Sequence, residues 1–147
     1  MGKVCFLSLI LWFAPMIKTP TNSYSLTIKV NDLKNSNGAV VIALYNKDGS
    51  IPDEKFEHFY KKELLYIVEN KATFTFDKLP SGFYAITILH DENSNGKIDK
   101  KMMLPLPKEG VGFSNYDDFG LNNRPNFKKA GFNLNKNTTI AVKVIYK

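Results

Sequence analysis

Cysteine is almost missing from this chain. The 147 residues hold one, Cys5, and it lies in the apolar stretch at the start. The rest can form no disulfide, do no thiol chemistry and bind no metal through thiolate. It must be held by its core, or by core plus a metal. Arginine is as scarce: Arg124 is the only one, and the other nineteen basic residues are lysines. Sequence-specific nucleic-acid sites lean on the bidentate guanidinium. The net charge is +6, and +4 once Lys3 and Lys18 are set aside. Scattered lysines at that density read as solvated surface or weak attraction to an anionic envelope, and no nucleic-acid partner is expected. Histidine appears twice, as His58 and His90, and no G-x-S-x-G elbow is present. Gly110 and Gly112 do not precede a helix, so a phosphate cradle is absent as well. No internal repeat is visible.

The only long apolar run is Val4 to Ala14, interrupted by Ser8, after Lys3 and before the polar Thr21-Asn22-Ser23. A basic start, an apolar run too short to span a bilayer and a polar exit describe a secretory signal peptide. Residues 1–22 are therefore expected to be a signal and residues 23–147 the folded domain. The expected locations are the periplasm, the outer-membrane surface or the exterior, with no stable membrane span left after signal removal.

Period-two alternation dominates the chain from Ser23 onwards. Tyr24, Leu26, Ile28 and Val30 alternate with polar residues, a half-buried strand. Asn35-Ser36-Asn37-Gly38 reads as a hairpin turn into Ala39–Tyr45, an apolar run that suits a central strand. Ser50-Ile51-Pro52-Asp53-Glu54 resembles a helix start, and Phe56, Phe59 and Tyr60 keep helical spacing up to Lys61-Lys62. That segment predicts a short helix or irregular turn over one end of a sheet. Strands are expected at 64–68, 72–76, 85–90, 130–134 and 138–146. Residues 100–129 lack periodicity and carry Phe113, Tyr116, Phe119 and Phe127. Those aromatics either fold back over a sandwich end or form, with Asn115, a binding platform; the first reading is preferred, since a long loop needs its own small core. About seven strands with frequent turns predict an all-β, antiparallel β-sandwich.

The chemical signal lies at Asp91-Glu92-Asn93-Ser94-Asn95-Gly96-Lys97-Ile98-Asp99. This is D-x-N-x-N-G-x-x-D, the first nine positions of an EF-hand-type calcium loop. Alternate residues of a tight loop point inward, so Asp91, Asn93 and Asn95 can converge on one hard cation. Gly96 permits the reversal that offers the Lys97 carbonyl, and Asp99 binds directly or through water. No helical periodicity precedes Asp91, so the loop hangs on a strand end and this is no EF-hand domain. The twelfth position should be a bidentate Glu and is Met102. Glu109, Asp117 and Asp118 are candidates for the missing carboxylate. His90 and Ser114 can be drawn as part of a hydrolytic triad, but neighbours such as His90 and Asp91 on a strand face opposite ways.

Three ordered motifs carry a resemblance: Gly82-Phe83-Tyr84-Ala85, then His90 to Asp99, then Pro107-Lys108-Glu109-Gly110-Val111-Gly112-Phe113-Ser114-Asn115. With Pro125-Asn126-Phe127-Lys128-Lys129-Ala130, they resemble a bacterial secreted family known as domain of unknown function 2141, over roughly Leu26 to Tyr146. The resemblance implies a small exported sandwich, similar to immunoglobulin-like or transthyretin-like domains, with no assigned activity. It favours Glu109 as the closing carboxylate, because that residue lies in the family-like Pro-Lys-Glu-Gly run. The chain departs at Leu104-Pro105, where the family usually has a glycine before its proline.

The resulting expectation is a monomeric, exported binding or accessory module with a calcium-stabilised loop. Its metal set is Asp91, Asn93, Asn95, Lys97, Asp99 and Glu109, and its partner is an unspecified envelope ligand or protein. No catalysis is expected. The alternatives are an envelope hydrolase using His90 and Ser114, or a purely structural domain.

Overall fold

A computed structural model describes residues 22–147. The expected signal, residues 1–22, lies outside the described residues but for Asn22. Among the described residues there are eight strands and one short helix: β1 (Ser23–Asn31), β2 (Ala39–Tyr45), β3 (Lys61–Leu65), β4 (Ala72–Pro80), β5 (Gly82–Asp91), β6 (Gly110–Phe113), α1 (Phe127–Ala130), β7 (Phe132–Leu134) and β8 (Thr138–Lys143). They form two facing sheets, β4-β1-β8 and β3-β2-β5-β6, with β7 paired to β5. Alternation on β1 places Leu26, Ile28 and Val30 toward the second sheet, fully buried. They meet Val40, Ile42 and Leu44 of β2 and Tyr84, Ile86 and Ile88 of β5.

The intervening residues of β2 are buried too. Val41, Ala43 and Tyr45 face the outer side of the larger sheet, with Ala85, Leu89, Val111 and Phe113, under a second core. Ile51, Phe56, Tyr116, Phe119 and Phe127 cover them. A strand covered on both faces needs apolar residues at every position, hence the unbroken Ala39–Tyr45 run. The aromatics of residues 113–127 thus cover a sheet instead of forming a platform, since Phe113, Tyr116, Phe119 and Phe127 are all buried.

Several expectations need correction. The Asn35–Gly38 turn is no hairpin: β1 and β2 belong to different sheets. Strand alternation predicts Val41, Phe74 and Ile140 in the core between the sheets; Val41 lies in the outer core instead, and Phe74 and Ile140 are only half-buried against the inner one. Of the two readings of residues 50–60, the irregular turn holds and the helix does not, and Lys61-Lys62 open β3. The Ile51–Pro52 peptide is cis and Phe56 has φ 53°. Helical spacing of Phe56, Phe59 and Tyr60 misled because Asp53 organises the turn instead. Its carboxylate accepts the N–H groups of Glu57 (3.0 Å) and His58 (2.8 Å). The region 100–129 contains β6 and most of α1, each too short for a periodic signal. One pairing, β1 with β8, is parallel.

Candidate metal centre

Strand β5 ends on Asp91, and β2 on one side and β6 on the other fix its position. Ala39 of β2 pairs with Asp91, and Gly110 of β6 pairs with His90. Continued one residue past the start of β6, that antiparallel register sets Glu109 beside Asp91. Alternation decides the faces. Ile88 lies in the inner core and Leu89 in the outer one, so His90 turns inward and Asp91 outward. Val111 and Phe113 face outward as well, and Glu109 continues that alternation onto the face of Asp91. Gly110 lets the C-terminal segment lie against β6: a Cβ there would fall 2.4 Å from the Tyr146 ring.

From Asp91 the chain reverses through two left-handed residues, Ser94 (φ 58°) and Gly96 (φ 77°). The Asp91 carboxylate directs that reversal. Its Oδ1 accepts the Asn95 N–H at 3.0 Å and its Oδ2 the Gly96 N–H at 2.7 Å. Asn93 Oδ1 shares the Asn95 N–H at 3.1 Å, and Asn95 Oδ1 accepts the Lys97 N–H at 3.0 Å. Both carboxamides donate from Nδ2 to Asp99 Oδ2, at 2.9 and 2.7 Å. These two bonds hold the Asp99 carboxyl below the usual carboxylate range.

Glu109 closes the group. Its Oε1 accepts the Asn93 N–H at 3.3 Å. Its Oε2 is buried with no hydrogen-bond partner, in a residue only 5% exposed. Burial pushes the Glu109 carboxyl up and the neighbouring Asp91 and Asp99 charges add to the rise, against the backbone N–H groups of Asn93 and Glu92, which pull it down. A buried carboxylate oxygen without a donor, facing two more carboxylates, costs free energy unless a cation or a proton joins it. Asp91, Asn93, Asn95, Asp99 and Glu109 are therefore brought together, and Lys97 is tied in by its amide. Met102 at the twelfth loop position is 97% exposed, and Asp117 and Asp118 lie exposed elsewhere. Among the described residues no three His, Cys, Asp or Glu side chains are placed to grip a metal by themselves. The donor set here is mixed, and its carboxamide and backbone oxygens suit a hard, loosely coordinated cation rather than zinc.

Matching residues 28–141 is the family model described as uncharacterized protein conserved in bacteria (DUF2141). The chain belongs to that family. No curated protein and no solved structure matches it. In this DUF2141 domain the matched span runs from β1 into β8 and includes the whole Asp91–Glu109 segment.

Sequence reasoning missed the clamp beneath the loop. Gly38 (φ 69°) lies so close that a Cβ there would fall 2.0 Å from the Asp91 carbonyl oxygen. Asn35 donates to Glu92 at 2.8 Å. His90 Nε2 contacts the Asn37 carbonyl at 2.9 Å and Nδ1 the Tyr146 hydroxyl at 2.7 Å. The Asn37-Gly38 pair carried a signal, but one that reads equally as a hairpin. Ser114 sits apart from His90: its hydroxyl donates to the Ala130 carbonyl at 2.6 Å and accepts the Ile86 N–H at 2.9 Å. His90 and Ser114 thus serve different backbone contacts and do not bond to each other.

Proposed function

We propose that this protein is an exported binding or accessory module of the bacterial envelope, non-catalytic, whose Asp91–Asp99 loop is held by calcium. One observation carries the metal reading: the buried Glu109 Oε2, without a hydrogen-bond partner, lies beside Asp91 and Asp99, on the residue that leads into β6 and next to the end of β5. The residues that would hold the ion are Asp91, Asn93, Asn95, Asp99 and Glu109, with the Lys97 carbonyl. Calcium takes six to eight oxygens and tolerates irregular shells, which this mixed set with added waters suits. The hydrogen bonds to Asp91 occupy one lone pair of each oxygen and leave the other available. When bound, the ion would supply positive charge to the three carboxylates, not all of them by direct contact as they are placed, and would tie the loop to the segment that leads into β6. Affinity on the order of 0.1–1 mM, that of extracellular modules, suffices where calcium is abundant. Export is supported by the basic-then-apolar start of the chain. Among the described residues no helix is long and apolar enough to cross a membrane.

The test is thermal melting of the chain from Ser23 onwards in millimolar calcium and in chelator, beside Asp91→Ala. Calcium should raise the melting temperature and the protease resistance of residues 100–129, and Asp91→Ala should abolish both effects. Equal melting and equal proteolysis in the two conditions would refute the metal reading. Mass spectrometry of protein from the native envelope tests export, and an intact Met1 on a soluble species would refute it.

A further inference from the structure

A hairpin that the calcium reading does not use rises from the loop. Asp99 accepts the Lys108 N–H at 2.8 Å, Lys100 and Pro107 form a bridge, and the Lys101 N–H donates to Leu106 at 2.9 Å. At its top Met102 and Met103 are 97% and 93% exposed, and Leu104 is 51% exposed. Apolar cover is available beside them, in a cavity of about 160 Å³ lined by Pro105, Leu106, Phe113, Phe119 and Leu121. The methionines do not enter it, and the backbone pairing of the hairpin stem holds them outward. Leu121, across the cavity, is itself 54% exposed. Three consecutive large apolar side chains therefore stand in water at the hairpin tip, an arrangement that marks an interaction surface.

The charges beneath the tip say what that surface meets. Lys97, Lys100, Lys101 and Lys108 form an exposed collar. Asp91, Glu92, Asp99 and Glu109 cancel them in number. Glu54, which pairs with Lys100 at 2.8 Å, and Arg124 at the cavity rim add one charge of each sign. Lys34, 3.9 Å from Glu92, adds one more positive charge, so the end is close to neutral, with its lysines outside and its carboxylates gathered in the loop. One divalent cation among the carboxylates makes it clearly positive.

We propose that this tip is a calcium-licensed finger for an anionic lipid bilayer: Met102, Met103 and Leu104 enter the interface while the lysine collar meets the headgroups. It rests on the calcium reading above. Apolar side chains alone bind a bilayer weakly, and basic residues near an anionic leaflet each add roughly 1 kcal/mol within a Debye length. Neutralising the carboxylates below the collar removes the opposing potential, so lipid docking follows cation binding. Flexible, polarisable methionine suits an irregular interfacial layer.

Co-sedimentation tests this on the chain from Ser23 onwards, which holds all eight strands and both cores. The vesicles are equal parts phosphatidylglycerol and phosphatidylcholine, or phosphatidylcholine alone, in calcium or chelator. Binding is expected to the anionic vesicles in calcium. It should fall about tenfold or more in chelator, in Asp91→Asn and in the double variant Met102→Ser/Met103→Ser. The double variant should keep the wild-type calcium shift in melting temperature, since both side chains stand in solvent. Vesicle binding equal in calcium and chelator, or retained by the double variant, would overturn the finger. A calcium melting shift without vesicle binding would also overturn it and leave the calcium reading standing. No melting shift at all would sink the calcium reading, and the finger with it.

Discussion

Replacing Glu109 with Gln should change stability in opposite senses with and without calcium. In chelator the wild-type carboxylate is buried, has one oxygen without a donor, and faces Asp91 and Asp99. An unsatisfied buried polar group costs about 1–3 kcal/mol. The low end applies, because the site opens toward the solvated loop. Glutamine keeps the shape and removes the charge, so Glu109→Gln should gain about 1 kcal/mol, or about 4 °C of melting temperature for a domain of this size. In calcium the sign reverses. An ion at ten to a hundred times its dissociation constant stabilises the wild type by about 1.4–2.7 kcal/mol, roughly 5–10 °C. Glu109→Gln should lose most of that, because an amide offers one neutral oxygen where the carboxylate offers two charged ones. The pH dependence has a definite sign as well. The folded-state value lies above the ordinary 4.5, so the folded state holds its proton longer than the unfolded chain does. The Glu109 contribution to stability is therefore full below 4.5 and is lost as pH rises through the higher folded value. Calcium or Glu109→Gln should remove that slope. Calorimetric melting of both proteins, in calcium and chelator from pH 4 to 7, reads all of this. If Glu109→Gln melts below the wild type in chelator and responds equally to calcium, the carboxylate is an ordinary hydrogen-bond acceptor and the argument fails.

Three further outcomes are expected. Ile86→Ala should cost about 2–5 kcal/mol, since Ile86 is fully buried between the sheets; an unchanged urea midpoint would show the wrong face was chosen. Asp53→Ala should cost about 2–3 kcal/mol in urea unfolding, because it frees the Glu57 and His58 N–H groups and the Tyr45 hydroxyl that the buried carboxylate accepts. Those bonds hold the Asp53 carboxyl below its ordinary 3.8 despite burial, so its contribution should be present above that value and fade as pH falls through the lower folded one; a midpoint shift of equal size at pH 3 and pH 7 would contradict this. Gly38→Ala should lower both stability and the calcium response, through its left-handed backbone and the collision with Asp91; unchanged calcium melting would separate the clamp from the loop.

Much of the fold was legible because it depends on local pattern. Alternation in Ser23–Asn31 and the unbroken apolar run in Ala39–Tyr45 mark a one-sided and a two-sided strand, since a pleated chain shows alternate residues to opposite layers. The D-x-N-x-N-G-x-x-D spacing marked the loop for the same reason: its hydrogen bonds run between residues two to six positions apart. Tertiary structure decided what depends on pairing across the chain. Neither β6 nor α1 has enough residues to display a period, and Phe56, Phe59 and Tyr60 kept helical spacing in a turn built by Asp53. The Asn37-Gly38 turn marks a reversal but not its destination, and only the sheet order shows that it crosses to the other sheet and packs on Asp91. Glu109 is the clearest case. By itself the sequence offered three acidic residues to complete the loop, with family-like context favouring one of them. The antiparallel register of β5 and β6 sets Glu109 on the face of Asp91 and leaves Asp117 and Asp118 in solvent, because strand pairing converts a separation of eighteen residues into adjacency.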